Sequence, residues 1–245
     1  MISKYLKILV ELTWIEYVDK VCEIPNIDNI RLSAREGAAG EFLTADLYSK
    51  QYILYLSEEM EVAPDEYVKE ILFHEFTHLA DSLMFLDYSF EDFKKIMYIY
   101  SEIHAAEIQM DKILSITGDS PDMLRQVIPY KGVMLKDFLN KGALEIIKEQ
   151  FSPLKEKVDA FERCDFVYIY YFVGYLLSLK KHNIEYTHDY TGIIKPLIPE
   201  IIEIEDYFLT SEKINPQEVM DLAKNLESAF KIYYFSFIQK SNMGK

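Results

Sequence analysis

Asp65-Glu66-Tyr67-Val68-Lys69-Glu70-Ile71-Leu72-Phe73-His74-Glu75-Phe76-Thr77-His78-Leu79-Ala80 is the stretch that decides how this chain reads. Val68, Leu72, Phe76, Leu79 and Leu83 recur at helical spacing and predict one amphipathic helix over residues 66–86. Pro64 suits its first turn, and Asp65 and Glu66 suit its positive end. Within it, His74-Glu75-Phe76-Thr77-His78 has the pattern H-E-x-x-H, off the apolar stripe. Residues four apart share a helix face. Both imidazoles can therefore reach one zinc ion, and Glu75 can lean over the same ion as a general base.

Before this helix the texture changes. Residues 1–22 have helical periodicity, with Leu6, Val10, Trp14 and Tyr17 on one face and Pro25-Asn26 beyond the end. Residues 30–34, 41–48 and 51–57 have strand-like composition. They predict a small, mostly antiparallel sheet of two to four strands beside the motif helix. After it, Ser89 with Asp92 resembles a capping box, opening a second helix closed by Gly118. Residues 141–151 and 154–179 read as helices, residues 193–209 as one short helix, and Asn215-Pro216 as the start of a last one. The expected class is α+β and predominantly helical. Residues 1–120 form the core around the motif, and residues 121–245 a helical region with no linker marking it off.

A catalytic zinc takes three protein ligands and a water. The extension H-x-x-G-x-x-H is absent, because positions 81 and 84 are Asp and Met. The following helix offers Glu102 and Glu107, 24 and 29 residues beyond His78. An antiparallel helix pair would bring either back to the motif. The two lie about 140° apart around their helix, so at most one faces the metal. The step Ala105-Ala106 permits the close packing such a site needs. His104 points about 200° away from Glu102 and is a weaker ligand candidate. Asp81, one turn past His78, is a candidate for orienting a ligand.

This arrangement resembles the gluzincins, a branch of the zincin metallopeptidases, over roughly residues 41–111. The resemblance rests on H-E-x-x-H at 74–78, the strands before it, and a glutamate-bearing helix after it. It implies His74, His78 and a glutamate as ligands of Zn²⁺. Ala105 stands three residues after Glu102, where many gluzincins carry a small residue. Glu107 with Asp111 matches instead the thermolysin-like E-x-x-x-D, whose aspartate hydrogen-bonds a ligand histidine. Glu102 is the preferred third ligand and Glu107 the alternative. The resemblance also implies an extended substrate along an edge strand beside the motif helix, for which residues 51–57 are a candidate; an internal strand is the other reading of that segment.

Composition narrows the function. With 26 basic and 41 acidic residues the net charge is −15, which argues against nucleic acid and anionic lipid as partners. Two distant cysteines, Cys22 and Cys164, make no disulfide framework and fit a reducing, cytoplasmic compartment. The longest apolar run, residues 166–179, falls short of the ~18–20 residues of a membrane span. Nineteen tyrosines and fifteen phenylalanines point to an aromatic core or groove, and the tyrosines of 168–175 read as core.

The expected activity is hydrolysis of a peptide or protein by a metal-activated water, with Glu75 passing its proton to the leaving amine. The donor that steadies the developing oxyanion is open among Tyr98, Tyr100, His182 and His188. The alternative is a zincin-shaped binding or regulatory protein without peptidase activity; a helical protein with a chance motif is the third.

Overall fold

The computed structural model describes residues 2–33, 39–118, 120–151, 166–187, 200–211 and 213–243. The first helix, α1 (Lys4–Lys20), is capped by Ser3, whose hydroxyl accepts from the Leu6 amide. It buries Leu6, Val10 and Tyr17, as its periodicity requires. Three short strands follow: β1 (Asn29–Leu32), β2 (Gly40–Phe42) and β3 (Ile53–Leu56). Their order is β1-β3-β2, with β1 parallel and β2 antiparallel to β3. The sheet is thus mixed rather than mostly antiparallel. The strand-like stretch 41–48 yields only the end of β2, because α2 (Thr44–Tyr48) turns back and buries Leu47. Both flanks of β3 are paired, so residues 51–57 hold an internal strand, and β2 is an outer one.

The motif helix α3 (Asp65–Phe85) begins just after Pro64. Its stripe Val68, Leu72, Phe76 and Leu79 is fully buried, sharing one core with α1 and β3. Beyond a turn, Ser89 accepts from the Asp92 amide and caps α4 (Phe90–Ile96). A π turn, Met97–Ser101, joins α4 directly to α5 (Glu102–Thr117), and Gly118 ends α5 with φ +89°. A hairpin of two-residue strands, β4 (Val127–Ile128) and β5 (Val133–Met134), was not foreseen from the sequence. Then come α6 (Leu135–Leu139), a second π turn (Asn140–Leu144) and α7 (Glu145–Phe151).

The helix α8 (Val167–Lys181) packs along α5. Gly174 makes this possible: a Cβ there would lie 2.7 Å from the Ala106 Cβ and 2.8 Å from the Glu107 amide nitrogen. Ile103, Ala106 and Met110 of α5 share one core with Phe172 and Val173 of α8, so the later residues complete the earlier ones. Two more helices, α9 (Glu200–Thr210) and α10 (Pro216–Met243), close the described chain. The helical segments expected over 154–165 and 193–199 lie outside the described residues. Among those described, no helix is long and apolar enough to cross a membrane.

Candidate metal centre

Three side chains converge where α3 and α5 pack together. His74 Nε2 and His78 Nε2 are 3.0 Å apart. Glu102 Oε2 lies 3.7 Å from the first and 3.6 Å from the second. Among the described residues they form the one cluster of three or more potential ligands. The point equidistant from the three atoms is about 2.0 Å from each, the length of a zinc–nitrogen or zinc–oxygen bond. Glu102 Oε2 is buried without a hydrogen-bond partner, so its lone pairs could serve a cation. Two imidazoles and a carboxylate are also the donor set of catalytic zinc sites. The residues therefore fit the ion the motif implies.

The electrostatics agree. Burial, reinforced by His78, pushes His74 down to about 3, so it is a neutral imidazole. Burial opposes charge on His78, but Glu102 with Glu75 and Asp81 together outweigh it and hold His78 up at about 9. That proton supplies the positive charge these carboxylates demand, and a metal would replace it. Burial alone would raise Glu102; the adjacent histidines, His78 foremost, bring it below its usual value. Burial lifts Glu75 to about 7.

Glu75 follows His74 on α3, under β2. A Cβ on Gly40 would stand 2.8 Å from the Glu75 Cγ, so only glycine leaves room for this carboxylate. Glu75, both histidines and Glu102 line a cleft of about 780 Å³. One wall is β2 with the preceding Ala39, a second is Phe93, Met97 and Tyr98, and a third is Tyr168, Tyr171 and Tyr175 of α8.

The remaining candidates separate. Glu107 lies 3.6 Å from Lys181 and takes no part in the cluster. Asp111 accepts from Ser178 and Lys181, each at 2.6 Å, and lies 3.0 Å from His182. Nine residues of helix turn it about 180° from Glu102, so it orients no ligand. Asp111 and His182 border a different cavity of about 830 Å³. Asp81 is buried and bonded to Ser101 and His104; His104 is anchored on Asp81 and stands outside the ligand cluster. Tyr100 packs on Phe85 and His104. Tyr98 stands at the rim, 45% exposed. His188 lies outside the described residues.

Tyr171 is the residue that sequence reasoning missed. Its ring meets His74 edge-on at 5.3 Å, and its hydroxyl interacts with Glu102. Burial, with the charges of Glu102 and Glu75, holds that hydroxyl protonated well above the usual tyrosine value. The available signal was spacing: positions 168, 171 and 175 share one face of α8, whereas Tyr170 turns into the core. Compared with family models, curated proteins and solved structures, the chain gives no match.

Proposed function

We propose that this chain is a zinc-dependent peptidase of the gluzincin type, with His74, His78 and Glu102 as ligands and Glu75 as general base. The observation that carries the reading is the convergence of three donor atoms on one point of the cleft that Glu75 also lines. Bound there, zinc would supply Lewis-acid polarisation of a carbonyl and a water acidic enough to ionise near neutral pH. Glu75 takes a proton from the attacking water at a carboxylate oxygen and returns it to the departing amine as the C–N bond breaks. Its burial beside Gly40 favours both transfers by keeping its affinity for a proton high. Tyr171 donates its O–H toward the carbonyl oxygen as that oxygen gains charge. An extended peptide laid along β2 would pair with its main chain and present side chains to the tyrosine wall. A cytoplasmic setting is in keeping with the cysteine usage.

The test is zinc content by elemental analysis beside cleavage of a peptide library, for the parent and Glu75→Gln. The expected result is about one zinc per chain in both, with cleavage lost in the variant. Equal cleavage by the two proteins would overturn the reading. Zinc-loaded parent that cleaves nothing yet binds a partner, unaffected by Glu75→Gln, would assign the fold to a binding protein.

A further inference from the structure

His78 presents Nε2 to the cluster and turns its other nitrogen, Nδ1, to Ser101 Oγ at 2.7 Å. Ser101 is fully buried and ends the π turn between α4 and α5. Its hydroxyl donates to Asp81 Oδ2 at 2.8 Å. Asp81, 1% exposed, faces His104 Nδ1 at 2.9 Å through Oδ1. The polarity of this chain of contacts follows from the chemistry of its members. A carboxylate only accepts, so the Ser101 hydrogen points to Asp81 and the His104 Nδ1 carries a proton. The Ser101 oxygen is then left to accept, and the hydrogen of His78 must sit on Nδ1. Once the ring gives up its second proton to a metal, the Nε2 lone pair is the one left for ligation, on the side that faces His74 and Glu102.

We propose that Ser101 is a positioning residue of the metal centre, fixing the tautomer and the ring plane of His78, with Asp81 setting its polarity and His104 anchoring Asp81. The inference rests on the zinc reading above. It also gives the π turn a purpose. Such a turn takes up one additional residue and rotates the following helix by about 100° relative to an unbroken one. In this chain that rotation accompanies Ser101 facing His78 while Glu102, the next residue, faces the ligand cluster. The network further ties α3, carrying His78 and Asp81, to the segment carrying Ser101 and His104. It therefore fixes the two ligand-bearing helices against each other.

The polarity argument separates this role from simple packing. In Ser101→Ala, His78 keeps its place but loses its acceptor, and either tautomer forms. In Asp81→Asn, the new amide donates to Ser101, whose hydrogen turns to His78 Nδ1. The His78 proton then moves to Nε2, where it blocks ligation. The experiment measures zinc affinity of parent, Ser101→Ala and Asp81→Asn by competition with a chromophoric chelator. The visible spectrum of the cobalt-substituted proteins and the melting temperature of the metal-free proteins are recorded alongside. The expected result is a loss of about 10-fold for Ser101→Ala and about 100-fold for Asp81→Asn, the span seen for partners of ligand histidines. The cobalt bands shift in both. Both variants within twofold of a zinc-binding parent, with unshifted bands, would overturn the proposal and leave the zinc reading standing. A parent that binds neither metal would overturn both.

Discussion

Glu102 Oε2 lies 3.6 Å from His78 Nε2, although 24 residues separate the two in sequence. Glu107, five residues further, is turned to Lys181 at 3.6 Å. The pair of glutamates that spacing alone left open therefore divides into a ligand candidate and a partner of α8. Glu102→Ala is expected to weaken zinc binding more than about a hundredfold, beyond the cost of losing an outer hydrogen-bond partner. Glu107→Ala is expected to retain about one zinc per chain. Elemental analysis after dialysis against zinc-free buffer checks both; zinc lost only from Glu107→Ala would reverse the assignment.

Tyr171 approaches the same cluster from α8, with its hydroxyl on Glu102 and its ring edge on His74. Removing one well-placed donor to a developing oxyanion costs about a hundredfold or more in kcat. Tyr171→Phe is expected to lose about that much turnover, while KM and zinc stoichiometry stay near the parent's. A loss confined to KM would make Tyr171 a wall of the cleft only.

Local features of this site were legible in the sequence, and distant ones were not. The pair His74 and His78, and the stripe from Val68 to Leu79, depend only on helical spacing. Glu102 became a candidate because a short turn obliges α5 to run back along α3. The part played by Ser101 was hidden because a π turn leaves no periodic signature, so an unbroken helix misplaces the residues on either side of it. Tyr171 was hidden by its neighbours: in so apolar a run its contact with His74, 97 residues away, looks like core. The strands were mistaken at 43–48 because β-propensity reflects packing more than backbone preference, and burial of Leu47 decided for a helical turn. The hairpin at 127–134 has strands of two residues, too short to show alternation.

Gly174 holds α8 against α5, and through α8 it sets the distance of Tyr171 from Glu102. Gly174→Ala would drive a methyl group to 2.7 Å from the Ala106 Cβ and 2.8 Å from the Glu107 nitrogen. Neither neighbour is a flexible side-chain end, so the helices must part. Overpacking of this kind costs about 1–3 kcal/mol, or roughly 2–12 °C in melting temperature for a chain of this size. Thermal unfolding of the metal-free protein measures it, and activity is expected to fall further than stability, since Tyr171 moves with the helix. An unchanged melting temperature would show that α8 can shift without loss.

Glu16 of α1 reaches Lys112 of α5 at 2.5 Å, and the Lys112 ammonium lies 4.7 Å over the Phe73 ring, next to His74. Burial alone would raise the Glu16 carboxyl; Lys112 and Lys20 together bring it below its ordinary value of 4.5. A carboxylate depressed in the folded state contributes stability above its unfolded value, and that contribution is lost as pH falls through the folded value. Glu16→Gln is therefore expected to be less stable than the parent at pH 7, by on the order of 1 kcal/mol, between an exposed ion pair and a buried one. The difference should begin to close below about pH 4.5 and vanish once the parent's carboxyl is protonated. Paired melting curves of the metal-free proteins between pH 7 and pH 3 test this without interference from loss of metal. A gap that stays constant with pH would mean that Glu16 acts through packing of its methylenes on α5 rather than through its charge.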